Sequence, residues 1–108
     1  MNLKEYQEKA SRTINPDLNK RDVKINMSMG ISGEAGETID MIKKEIFHGH
    51  SINIEDLKKE IGDILWYIAG LATAYNLNLD EIGLMNIEKL KRRYPGGFTE
   101  ELSKNRKE

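Results

Sequence analysis

The sequence predicts an all-α protein, a bundle of four helices. Three observations lead there. Apolar residues recur at i, i+3, i+4 spacing along four successive stretches, no stretch alternates apolar and polar residues, and both prolines, Pro16 and Pro95, fall where a helix should end. The 108 residues suffice for one domain, read as 1–108 with a polar tail over 99–108 that should fray. Helices joined by short loops give an up-and-down bundle or a close relative of it.

The first helix is predicted over about 3–14, from Leu3, Tyr6, Ala10 and Ile14, and stops before Asn15-Pro16 because the residue preceding proline is pushed out of the α region. Gln7 falls on its apolar stripe, as a boundary residue or a ligand contact. A polar linker, 17–22, precedes the second helix, whose apolar face carries Met27, Ile31, Ala35, Thr38, Ile42 and Ile46. Gly30, Gly33 and Gly36 recur within it. Each weakens a helix by about 1 kcal/mol relative to alanine, so the three together imply a close helix approach. His48-Gly49-His50 reads as a glycine-terminated helix end ahead of a metal-binding pair. Asn53 is the expected cap of the third helix, whose face runs through Leu57, Ile61, Ile64, Leu65, Ile68, Ala72 and Tyr75. Trp66 points off that face, where a partner subunit could receive it. Asn78 and Glu81 form a capping box for the fourth helix, which runs to about Arg93. That helix carries apolar residues around much of its circumference and one stripe of Ile82, Asn86, Lys89 and Arg93, so it should lie between the bundle and a neighbour with the stripe facing a polar ligand.

Composition removes several function classes. The net charge of −1 gives no global field for a nucleic acid polymer or an anionic membrane. The absence of cysteine removes disulfides and thiolate chemistry. No apolar run reaches the roughly 18 residues of a membrane span, and no signal-peptide core is present, which points to a cytoplasmic protein.

Two acidic pairs carry the chemistry: Glu34 with Glu37 in Gly33-Glu34-Ala35-Gly36-Glu37, and Glu60 with Asp63 in Glu60-Ile61-Gly62-Asp63. Residues i and i+3 of a helix project from one side, and both pairs lie in or beside apolar sectors where solvated carboxylates do not belong. If the helices pack together, four carboxylates converge and repel. Divalent cations relieve that repulsion, and hard oxygen ligands suit Mg²⁺, with Mn²⁺ as a possible substitute. A carboxylate-held metal together with the cations of Lys89 and Arg93 suits cleavage of a phosphoanhydride. Tyr67, on the flank shared with Glu60, joins Gln7, Asn86, Lys89 and Arg93 as a candidate substrate contact, although packing is the commoner use of such a tyrosine.

On these residues, and on Asn86-Ile87-Glu88-Lys89-Leu90-Lys91-Arg92-Arg93-Tyr94-Pro95, the chain resembles the MazG-like family of all-α nucleoside triphosphate pyrophosphohydrolases over most of its length. The pattern is E-x-x-E followed after some tens of residues by E-x-x-D, with no ligand missing. The resemblance implies Mg²⁺ held by Glu34, Glu37, Glu60 and Asp63. It implies hydrolysis of an NTP or dNTP to monophosphate and pyrophosphate; on our own reading of the mechanism, one of the glutamates serves as base, Glu37 as the expected one with Glu34 as the other catalytic candidate. It also implies a homodimer or a dimer of dimers, with Asn86, Lys89 and Arg93 facing the nucleotide. Two other readings stay open at this level: hydrolysis of an alarmone-type nucleotide messenger, and a non-catalytic helical assembly module with a structural cation.

Overall fold

The computed structural model describes residues 1–106 and is helical without strands: α1 (Leu3–Ser11), α2 (Lys20–Phe47), α3 (Ile54–Ala74), α4 (Leu79–Arg93) and a short α5 (Glu100–Lys104). Each of the five starts at a side-chain cap. Asn2, Asn19, Asn53, Asn78 and Thr99 accept from the N–H groups of Glu5, Asp22, Asp56, Asp80 and Leu102, satisfying donors that a helix start leaves unpaired. Asn19 begins α2 inside the expected linker. Asn78 caps α4 through Asp80 N–H, two residues on, so the predicted box closes on a nearer partner than expected. Within the tail expected to fray, residues 100–104 form a short helix under the Thr99 cap. Lys107 and Glu108, the end of that predicted tail, lie outside the described residues.

α1 ends three residues before the predicted Ile14. Residues 12–14 continue as tighter turns, with Arg12, Thr13 and Ile14 N–H bonded to the carbonyls of Lys9, Ala10 and Ser11, the usual tightening where a proline stops a helix. α2 closes at Gly49, whose φ of +71° suits glycine, while His50 N–H reaches back to the Lys44 carbonyl. The His48–Gly49–His50 run is therefore a helix stop.

α2 and α3 pack antiparallel as the principal pair, α1 lies across α3, and α4 leans on α1. The core is small and comes in two clusters. Ala10, Ala69, Ala72 and Leu79 join α1, α3 and α4, with Tyr6 and Trp66 against them, and Val23, Met27 and Ala74 join α2 to α3. Among the described residues, Met27 is the one large side chain fully buried, at 1% exposure. Trp66 does not point outward as expected. It packs against both clusters, donates from Nε1 to Thr13 Oγ1 at 2.7 Å, and meets Tyr67 edge-on with ring centroids 5.0 Å apart. α1 and the turn after it occupy the side of α3 that the sequence left unassigned.

Gln7 fastens α1 to the α3–α4 turn. Its Nε2 donates to Thr73 Oγ1 (3.1 Å) and to the Leu77 carbonyl (2.8 Å), and its Oε1 accepts from Leu79 N–H (2.9 Å), one of the free donors at the start of α4. Beyond α1, little of the described chain covers α4. Leu84, Met85 and Ile87 stand exposed, as do Ile39, Ile46 and Phe47 on α2 and Ile61 on α3. Among the described residues, no helix is long and apolar enough to cross a membrane.

Candidate metal centre

The α2–α3 pairing brings three of the four predicted carboxylates together. Ligand oxygens of Glu34, Glu37 and Glu60 lie within 4.8 Å of one another. The register that achieves this is set by the antiparallel packing, in which Met27 faces Gly70 and Tyr67 faces Gly30. The next turn of each helix then carries Glu34 and Glu37 on α2 opposite Glu60 and Asp63 on α3. Glu34 and Glu60 are half-buried, whereas Glu37 is exposed. One oxygen of each half-buried carboxyl, Glu34 Oε2 and Glu60 Oε2, is shut off from solvent with no hydrogen-bond partner. Buried polar atoms are nearly always paired, and two orphaned acceptors in one cluster of like charge are the environment a hard cation fits.

The electrostatics agree with the geometry. Contact with the Glu34 side chain, and then burial, hold the Glu60 carboxyl above the usual carboxylate range. Glu37 pulls it the other way, and the charges of Glu34 and Asp63 add to the rise. Glu60 thus holds its proton more readily than an isolated glutamate, chiefly because the Glu34 side chain and burial disfavour its charge. Asp63 stands outside the group of three. It is exposed, and its charge is felt by Tyr6 on α1, whose hydroxyl is pushed up by burial first and by Asp63 second.

The predicted substrate contacts are dispersed. Asn86 and Lys89 share a shallow groove on α4 with Ile82, Met85 and Arg92. Arg92 was not singled out from the sequence, although its i+3 spacing from Lys89 is the signal that could have found it. Lys89 and Arg93 are half-buried and Asn86 is exposed. α4 is held by α1, so this stripe and the carboxylates belong to different helix pairs. Tyr67 lies with its ring over the backbone of Gly30, one turn from Glu34. Gln7, expected as a boundary residue or ligand contact, has both ends of its amide engaged at the α3–α4 turn. Of the three periodic glycines, only Gly30 makes a close helix approach. An added Cβ would meet nothing within 4 Å at Gly33 or Gly36.

Comparison with known proteins bears on this constellation. The MazG nucleotide pyrophosphohydrolase domain matches residues 24–98, a span that holds α3, α4, nearly all of α2 and every carboxylate of the cluster. The Gene 37 protein of Mycobacterium phage L5 is 33% identical over 84 residues, covering 74% of each chain. No solved structure matches the chain. The chain belongs to the family of the MazG nucleotide pyrophosphohydrolase domain.

Proposed function

We propose that the protein is a Mg²⁺-dependent nucleotide pyrophosphohydrolase, cleaving the α–β phosphoanhydride of an NTP or dNTP to the monophosphate and pyrophosphate. One observation carries the reading: carboxylates from two helices converge within 4.8 Å and leave two buried oxygens without partners. Glu34 and Glu60 supply the buried oxygens that would hold the ion. Glu37 and Asp63 lie at the exposed rim, where further coordination or solvent contact is open to them. Mn²⁺, with similar ligand preferences, would serve as a substitute. When bound, Mg²⁺ polarises the phosphoryl oxygens and lowers the pKa of a coordinated water.

The chain's own groups account for the remaining chemistry. A water oxygen attacks one phosphorus of the α–β anhydride, the bond from that phosphorus to the bridging oxygen breaks, and the other half departs with that oxygen, giving monophosphate and pyrophosphate. The water's proton passes to a carboxylate. Glu37 suits this base role because it is the exposed member of the trio, while Glu34 beside it orients the site. Lys89 and Arg93 of α4 offer cations for charge that grows on the leaving group, and Asn86 can donate to or accept from a sugar or base edge. Tyr67 is better used as a wall of the site than as a base-stacking platform, given its seat on Gly30. We place the reaction in the cytoplasm, where nucleotides and Mg²⁺ are available.

Assembly of two or more copies is part of the same reading. A folded protein of this mass exposes about 6,100 Å², whereas this chain exposes 8108 Å². Its radius of gyration is 17.1 Å, against about 13 Å for a compact chain of this length. The excess of about 2,000 Å² is on the scale that each protomer of an obligate homodimer buries. The exposed apolar residues of α2, α3 and α4 are the surfaces a second copy would cover, and a dimer of dimers would cover more.

Incubation with Mg²⁺ and a panel of NTPs, dNTPs and nucleotide messengers tests the function. Pyrophosphate release that EDTA abolishes supports the reading. Turnover confined to a messenger nucleotide would move the substrate to that class, and no turnover of any nucleotide would leave a structural cation module.

A further inference from the structure

We infer that Gly30 is a positioning residue: through its contact with Tyr67 it sets the separation of α2 and α3 at the carboxylate cluster. The inference rests on the metal-site reading above and adds to it the feature that keeps the ligands at binding distance.

The α2–α3 contact is reciprocal. Each helix carries one large side chain and one glycine three residues apart, Met27 with Gly30 and Tyr67 with Gly70. Each large side chain lies over the other helix's glycine, where an added Cβ would overlap the Tyr67 ring at Gly30 and the Met27 side chain at Gly70. The neighbouring Gly33, Gly36 and Gly62 meet nothing within 4 Å, so of these glycines only Gly30 and Gly70 mark close approach. The two ends of this device differ physically. An added methyl at position 70 would meet Met27 from Cγ to Cε, an unbranched side chain that is nonetheless 1% exposed, so any adjustment there falls on the core cluster a turn farther from the carboxylates. The Tyr67 ring is rigid and is held edge-on to Trp66 and against the Val23, Met27 and Ala74 cluster. A methyl at position 30 therefore pushes against a fixed ring, and the strain passes to the helix backbones.

Position along the helices decides where that strain is felt. Gly30 lies four residues from Glu34, about 6 Å along the axis, and Tyr67 lies one turn from Asp63. Met27 and Gly70 lie a further turn from the cluster. Mg²⁺ requires oxygens at about 2.0–2.1 Å in near-octahedral array. An opening of a few tenths of an ångström between ligands now within 4.8 Å therefore costs affinity. Alanine is the better helix former, so loss of metal affinity in Gly30→Ala does not come from loss of helix.

Titration of the metal-free protein with Mn²⁺, followed by the EPR signal of the free ion, tests this without any turnover. Wild type is compared with Gly30→Ala, Gly70→Ala, Tyr67→Ala and the Gly30→Ala/Tyr67→Ala pair, with helix content checked by circular dichroism. The expected result is at least tenfold weaker binding for Gly30→Ala and a change within threefold for Gly70→Ala. In the Tyr67→Ala background, Gly30→Ala should also change affinity by less than threefold, since the ring it strikes is gone. Wild-type affinity in Gly30→Ala, or an equal loss in both backgrounds, overturns the inference. If Gly30→Ala does not fold, the pair decides: folding and Mn²⁺ binding like Tyr67→Ala support the contact, and a pair that stays unfolded refutes it. A wild-type protein that binds no Mn²⁺ overturns the metal-site reading itself, and the inference with it. Wild-type binding with an indifferent Gly30→Ala removes only the inference.

Discussion

Gln7→Ala separates a fastening role for this glutamine from the nucleotide contact its sequence position also allowed. The substitution removes three hydrogen bonds at once. Their losses are unequal. The Leu77 carbonyl is exposed and can take water instead, and the Thr73 hydroxyl keeps its own donation to the Ala69 carbonyl. The Leu79 N–H is the hardest of the three to resolvate, because its bond is part-buried and Leu79 is 5% exposed in the α1–α3–α4 cluster. An unsatisfied buried donor costs about 1–3 kcal/mol, so the variant should lose about 2 kcal/mol. Urea unfolding at one fixed protein concentration measures this without the concentration dependence that an oligomer adds. If the proposed enzyme is active, its KM for nucleotide should stay within twofold of wild type under conditions where the variant is folded. A variant of unchanged stability but strongly raised KM would refute the structural role and return Gln7 to the substrate.

Three further outcomes follow from the same structure. In EDTA, the folded form holds a proton at Glu60 above pH 4.5, where the unfolded chain releases it, so folding takes up a proton and rising pH opposes it. This contribution is harmless below that pH and destabilising as pH rises through the raised folded value; Glu60→Gln should therefore melt higher than wild type at pH 7 and lose the difference near pH 4, and a lower melt at pH 7 would contradict the repulsion. Lys89→Ala or Arg93→Ala should reduce kcat/KM by about 2–4 kcal/mol of transition-state stabilisation while leaving Mn²⁺ affinity unchanged, and activity within twofold of wild type would return the α4 stripe to solvent. Light scattering at micromolar concentration should give at least twice the 12.4 kDa chain mass, whereas a monomer would remove the assembly reading.

What the sequence made legible were features set by local spacing. Helical periodicity, asparagine caps and prolines located four helices to within a few residues, and the i, i+3 rule placed Glu34 with Glu37 and Glu60 with Asp63 on their helices. What stayed hidden was which sides of the helices face one another. Trp66 looked unpartnered because nothing in the sequence says that α1 lies across α3, and Gln7 looked like a stray polar residue because its partners lie more than 60 positions away. The glycine period suggested one continuous approach, but only Gly30 meets a facing side chain, since a residue every third position drifts around a helix of 3.6 residues per turn. Composition alone also missed the Thr99 cap that starts α5 within the polar tail.

The most direct test of the central claim is ³¹P NMR of a nucleotide triphosphate incubated with the protein and Mg²⁺. Wild type should yield nucleoside monophosphate and pyrophosphate in equal amounts, and Glu34→Gln and Glu60→Gln should yield neither. Orthophosphate as the product, or undiminished turnover in both variants, would contradict the assignment of these carboxylates to the cleavage of the α–β anhydride.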